Sequence, residues 1–124
     1  MASPPRICIL IPVYNHDQTV QGVVRRAGET LPVIVVNDGS TDRTGTILEE
    51  EQERGVTVVT LPCNRGKGAA LQAGFAQARQ QGFTHAITLD ADGQHSTEAL
   101  SGRFIAANVM ASRSGGLGQS LAFT

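Results

Sequence analysis

The stretch VIVVNDGSTDRT, residues 33–44, changes character halfway along. It opens with four β-branched apolar residues, Val33 to Val36, and breaks at Asn37-Asp38-Gly39-Ser40. A strand with one face in water alternates apolar and polar residues. An unbroken run is what a parallel sheet covered on both faces requires. Ser40 or Thr41 then stands where it can cap a helix running through Ile47 and Leu48 to a stop at Gly55. Strand, polar turn and helix follow one another as an α/β unit.

The same unit repeats on either side. Ile7 to Val13 is a strand candidate, followed by Val20, Val23, Val24, Ala27 and Leu31 at helical spacing. Val56 to Leu61 is a third strand. Gly66 to Gln81 then reads as a helix with Leu71, Phe75 and Ala78 on one face and Gly82 as its stop signal. Thr84 to Leu89 is a fourth strand. Repeated strand-then-helix units give an open, mainly parallel Rossmann-like α/β sheet with helices on both faces. Right-handed crossovers and a Rossmann-like strand order, 3-2-1-4, are the economical topology. Residues 1–107 are expected to form this domain. Residues 108–124, rich in Gly and Ser with no clear period, are expected to be an irregular tail.

Composition narrows the function. The 124 residues suffice for one core and not for two. Lys and Arg total 10 against 11 Asp and Glu, so the basic excess of a nucleic-acid binder is missing. With no Trp and one Tyr, stacking on bases has little to work with. Two cysteines, Cys8 and Cys63, make neither a disulfide framework nor a zinc site, and both are expected to fill the core. A reduced, cytosolic setting fits them. The N-terminus lacks the basic and long apolar regions of a signal peptide, and Pro4, Pro5 and Pro12 oppose a membrane span.

In an open parallel sheet, ligands bind beyond the carboxyl ends of the strands. Four polar loops fall there: Pro12 to Asp17, Asn37 to Asp42, Asn64 to Gly68, and Asp90 to His95. Asp90 and Asp92 are two apart. In extended chain they would project to the same side, roughly 6.5 Å apart. Carboxylates suit Mg²⁺ or Mn²⁺, which share their shell with substrate phosphates. The competing reading is a solvated Asp-Gly turn. An EF-hand is excluded, because Gln94 and Ser101 occupy its fifth and twelfth positions.

Gly66-Lys67-Gly68 opens a helix, where free N–H groups, the helix dipole and a Lys suit a phosphate. It matches neither the Walker spacing nor GxGxxG, since Leu71 stands at the last Gly position. A Gly-rich entry that lets the helix pack close to the sheet is the alternative. Asp38 can accept from a ribose or from base N–H groups, or form an Asx-type turn feeding the helix cap. His16 and His95 lie on the same rim without an assigned catalytic role. His85, in or beside a strand, reads as structural.

IPVYN (11–15), VIVVNDGSTDRT (33–44), NRGKGAALQAGFAQA (64–78) and ITLDADGQH (87–95) together resemble the N-terminal half of family-2 inverting glycosyltransferases of the GT-A fold. The likeness is nearest to the polyprenyl-phosphate sugar transferase and bacterial polysaccharide-synthesis branch. It covers roughly residues 6–95, with all four motifs in order.

The resemblance implies a nucleotide-diphosphate sugar donor, bordered by Pro12, Tyr14 and the Asn15/His16 position. It implies that Asp38 contacts base or ribose, and that Lys67 lies near ribose or diphosphate. Asp90 and Asp92 become a DxD pair holding Mg²⁺ or Mn²⁺, with Asp92 the direct ligand. Displacement at the anomeric carbon, with inversion, would deliver the sugar to a polyprenyl phosphate or a growing glycan. The location implied is cytoplasmic, or peripheral at the inner face of a membrane.

Three departures stand out. His16 replaces the Glu common in the family's PVYNE motif. Asn37 replaces a frequent Asp. The acceptor half, with the general base where one is needed, is expected to lie outside this chain, so no catalytic base is assigned. A non-catalytic nucleotide-sugar-binding module, or a truncated remnant, is the alternative. A sugar-nucleotide pyrophosphorylase would want glycines between Pro12 and His16, and there are none. A bare sheet edge would invite pairing, which leaves a homo-oligomer open.

Overall fold

A computed structural model describes residues 4–92, 108–111 and 120–122. Seven residues, Ile7–Val13, form the central strand β1, and Val33–Asn37 form β2 beside it. Thr57–Thr60 (β3) lies outside β2, and His85–Thr88 (β4) lies on the other side of β1. All three pairings are parallel, with Ile9 opposite Val33, Ile34 opposite Thr57 and Cys8 opposite Ala86. The order 3-2-1-4 is the one expected. Within the stretch from 108 onward, Asn108–Ala111 (β5) and Ser120–Ala122 (β6) extend the sheet antiparallel, giving β3-β2-β1-β4-β5-β6. That stretch therefore carries two short strands where an irregular tail was expected.

Successive strand side chains point to opposite faces, and here both faces are apolar. Ile9, Ile11 and Val13 of β1 and Val33 and Val35 of β2 pack with Val20, Val23, Val24, Ala27 and Leu48. These come from helices α1 (Val20–Gly28) and α2 (Thr44–Glu53), which share that side. Cys8, Leu10, Ile34 and Val36 face the other way, against Ala70, Phe75 and Ala78 of α3 (Lys67–Gln80). Gly74 sets how closely α3 approaches, since a Cβ there would lie 2.3 Å from Leu10 Cδ1.

Helices therefore cover one face before β3 and the other face after it. The order in which strands are added reverses between β1 and β4, the usual place for a ligand crevice. Leu10 O accepts the N–H of Leu89, so even-numbered residues of β1 turn their backbone toward β4. The ladder with β4 stops at Leu10↔Thr88. Pro12, on the same side but past that pair, forfeits no ladder bond. The two strands part there, and the crevice opens.

Two local expectations need correction. Ser40 and Thr41 do not cap α2, which begins at Thr44; its first turn is served by Asp42 Oδ1, which accepts the Thr44 N–H at 2.9 Å. Ser40 and Thr41 instead bond to Asn15. Cys8 is buried, but Cys63 is exposed on the loop after β3 and does not fill the core.

Candidate functional site

A cleft of about 480 Å³ lies at the carboxyl end of the parallel strands. The segment after β1 contributes Pro12, Val13, Tyr14 and His16. Asp38 closes the floor at the end of β2. Asn64, Gly66, Lys67 and Ala70 form one wall, and Asp90, Ala91 and Asp92 form the wall beyond β4. The four polar loops converge, as the topology required. Gly93, Gln94 and His95 lie outside the described residues.

Asp38 is the buried charge of the site, with 3% of its surface exposed. Its Oδ1 accepts the Arg65 N–H at 2.8 Å, and its Oδ2 accepts the Gly66 N–H at 2.9 Å and Asn64 Nδ2 at 3.0 Å. Its own N–H is given to Val13 O at 2.8 Å. A buried carboxylate needs such donors, and three are present. Asp38 makes no Asx turn; the side-chain bond that closes the turn is made by Asn37, whose Oδ1 accepts the N–H of Ser40, three residues on, at 3.1 Å. Gly39 (φ 73°) lets this turn press on the next loop: a Cβ there would stand 2.3 Å from the Cys63 carbonyl carbon.

Lys67 opens α3 directly after Gly66, which adopts φ 99°. The first turn of α3 holds no acidic residue and no side-chain cap, so its N–H groups and dipole favour an anion. Lys67 Nζ reaches Asp90 Oδ1 at 3.0 Å across the cleft. Both side chains are more than half exposed, so this pair adds little stability and a charged ligand can rearrange it. Asp90 and Asp92 both line the cleft, but β4 ends at Thr88. They project from a turn, so strand alternation does not govern them. Thr19 Oγ1 donates to the Ala91 carbonyl and anchors that turn to the start of α1.

Asn15 does not line the cleft, although it was expected to border a nucleotide. It adopts φ 57°, and its Oδ1 accepts the N–H groups of Thr41 (2.8 Å) and Asp42 (3.2 Å). Its side chain is committed to joining the loop after β1 to the loop after β2. His16 lines the cleft instead, and its N–H donates to the buried Thr44 Oγ1 at 3.1 Å. His85, the first residue of β4, has its Nδ1 2.8 Å from Oγ1 of the preceding Thr84. Asn64 is the site residue the sequence reading passed over. Its signal was an amide side chain two residues before the glycine of a polar loop.

Among the described residues, no group of three or more His, Cys, Asp and Glu could hold a metal by itself. Asp90 and Asp92 offer hard oxygen donors on one wall. That set fits an ion whose remaining ligands are phosphate oxygens.

The model for glycosyl transferase family 2 matches residues 8–104. The chain belongs to this family. It is 35% identical over 103 residues to the polyprenol monophosphomannose synthase of Mycolicibacterium smegmatis, covering 77% of this chain and 38% of that protein. It is 36% identical over 104 residues to the undecaprenyl-phosphate 4-deoxy-4-formamido-L-arabinose transferase of Pseudomonas aeruginosa PAO1, covering 76% of this chain and 30% of that one. The family-2 chain thus spans well under half the length of these relatives.

Solved structures give the same fold. The mannosyltransferase PcManGT from Pyrobaculum calidifontis, in complex with GDP-Man and Mn²⁺, superposes with a TM-score of 0.61 and 25% identity, over 73% of this chain and 28% of its own. S. aureus TarS in complex with UDP gives 0.60 at 23% identity, over 70% of this chain and 27% of its own, and supports the fold alone. The fold is that of the GT-A glycosyltransferases.

Proposed function

We propose that this chain binds the donor in an inverting transfer of a sugar from a nucleotide-diphosphate sugar to a lipid phosphate or glycan. The observation that carries this reading is the convergence of Lys67, Asp90 and Asp92 with the apolar wall of Pro12 and Tyr14 in one cleft. Tyr14, 43% exposed, offers a face to the nucleotide, with Pro12 beside it and His16 at the rim. Lys67 and the N-terminus of α3 lie where negative charge on the diphosphate would be stabilised. The relatives' names, a polyprenol phosphate mannose synthase and an undecaprenyl-phosphate transferase, favour a polyprenyl phosphate as acceptor.

In the step proposed, an acceptor oxygen bonds to the anomeric carbon from the face opposite the diphosphate. The bond from that carbon to the diphosphate breaks, and its electron pair leaves with the nucleoside diphosphate. A phosphate acceptor is already anionic and needs no base; a hydroxyl acceptor would need one, and none is assigned here. A bound Mg²⁺ or Mn²⁺ would supply further charge neutralisation on the leaving group. Asp92 and Asp90 are the residues to hold it, and Lys67 would turn from Asp90 to the diphosphate. The PcManGT complex with GDP-Man and Mn²⁺ supports divalent metal use in this fold. A lipid acceptor would put the reaction at a membrane's cytoplasmic face. Among the described residues, no helix is long and apolar enough to cross one.

The test is Asp92→Ala. Its affinity for the donor nucleotide with Mn²⁺ should fall to the parent's affinity without Mn²⁺. Undiminished Mn²⁺-dependent binding would refute the metal assignment. Tight donor binding with no transfer to polyprenyl phosphate or glycan would turn the reading into that of a binding module.

A further inference from the structure

We propose that Thr19 is a positioning residue for the divalent-cation site: its hydroxyl holds the Ala91–Asp92 peptide so that Asp90 and Asp92 both meet the cleft. This inference rests on the metal reading above. Thr19 stands immediately before α1, where a Thr ordinarily turns its oxygen back onto the N–H groups of the first turn. Here it makes no such cap. Its Oγ1 donates to the Ala91 carbonyl instead, 72 positions along the chain, at 2.5 Å.

Both ends of this bond are fixed. The Thr19 N–H donates to the His16 carbonyl at 3.2 Å, and the Thr19 carbonyl accepts the Val23 N–H at 3.1 Å. Ala91, 2% exposed, belongs to the apolar core that β1 and α1 share. β4 ends at Thr88, and the Leu89 N–H still reaches the Leu10 carbonyl. Past Leu89 the sheet ladder no longer sets where side chains point. A peptide unit is planar, so a hydrogen bond at the Ala91 oxygen orients the whole plane as far as the Asp92 Cα. With the Ala91 methyl in the core and its carbonyl on Thr19, Asp90 and Asp92 flank it on the cleft wall. Lys67 holds Asp90 only through an exposed pair, which a ligand can rearrange. Thr19 does not itself line the cleft, so it acts through Ala91.

UDP and GDP are the probes, each titrated with and without Mn²⁺. Thr19→Val keeps the shape and removes the donor, which leaves the buried Ala91 carbonyl without this partner. It should cut the gain in nucleotide affinity that Mn²⁺ gives by about fivefold or more. Affinity without Mn²⁺ should stay within about twofold of the parent's. Thr19→Ser keeps the hydroxyl and should keep the gain. Gly55→Ala, outside the cleft, strains only its own backbone and should also keep it, which separates positioning from a general loss of stability.

A Thr19→Val chain with the parent's Mn²⁺ gain overturns the proposal. So does a Thr19→Ser chain that loses the gain equally, or a Thr19→Val loss that is as large without Mn²⁺ as with it. A parent with no Mn²⁺ gain fails the metal reading, and the proposal falls with it; a parent gain that Thr19→Val retains fails the proposal alone. The carbon-13 shift of the Ala91 carbonyl in the ligand-free chain is the second arm. It should move in Thr19→Val and hold in Thr19→Ser, and an unmoved signal in Thr19→Val would refute the bond. Should Thr19→Val not fold, Thr19→Ala removes the same donor with a smaller side chain and is held to the same outcomes.

Discussion

Gly39 and Cys63 are single residues on which the contact between two loops depends. Gly39 combines φ 73° with a phantom Cβ overlapping the backbone of Cys63 and Asn64. Neither strain has a flexible side chain to absorb it. Gly39→Ala should therefore destabilise the fold by about 2–4 kcal/mol, the sum of left-handed strain and overpacking. Gly55, at φ 108° in open space, is the control, and Gly55→Ala should cost about 1–2 kcal/mol. Denaturant unfolding of the two variants checks this, and equal losses would remove the loop contact from the account. The two thiols differ as sharply. Burial pushes the Cys8 thiol up to about 11, against a weaker opposing backbone hydrogen bond, whereas Cys63 is exposed. A thiol reagent at neutral pH should label Cys63 quickly and Cys8 only on unfolding. Two fast-reacting thiols in the native chain would contradict the burial of β1.

At the scale of elements, strands and helices were legible and their caps were not. The apolar runs 7–13 and 33–36 announced central strands because both faces of the sheet are covered. Leu71, Phe75 and Ala78 marked α3 because one stripe of a helix must be buried. What draws Ser40 and Thr41 away from the helix start is a partner distant in sequence. Asn15 accepts from Thr41 and Asp42, 26 and 27 positions away, and no local pattern encodes that. Asp42 shows the consequence for pH. Burial pushes its carboxyl up, but the hydroxyl and N–H of Thr44 and the N–H of Asp17 outweigh burial and hold it below its ordinary 3.8. A carboxyl lowered in the folded state stabilises above its unfolded value. That contribution fades as pH falls through the folded value. Asp42→Ala should thus unfold more easily than the parent at pH 7, with the gap closing at the acid end. A gap that persists or widens in acid, in denaturant melts across pH, would contradict this.

At the scale of the whole molecule, the parallel order 3-2-1-4 followed from right-handed crossovers together with a Rossmann-like arrangement, and with it the position of the cleft. The pairing of β5 and β6 was not legible. Four- and three-residue strands in a Gly- and Ser-rich stretch carry too few side chains to declare a face, and β5 takes its register from β4 and β6 from β5. The cleft was legible as a meeting of four loops. Most of the side chains that line it were legible too; at the Asn15/His16 position His16 lines it and Asn15 does not, because Asn15 joins two loops. Family membership agrees with the donor proposed for that geometry, and the proposal is that the cleft is a nucleotide-diphosphate site completed by a divalent cation. Calorimetric titration of UDP, GDP and their sugars into the chain, with and without Mn²⁺, tests it most directly. Saturable binding of one nucleotide, dependent on Mn²⁺, is the result expected; no binding of any of them, with the metal or without it, would contradict the claim.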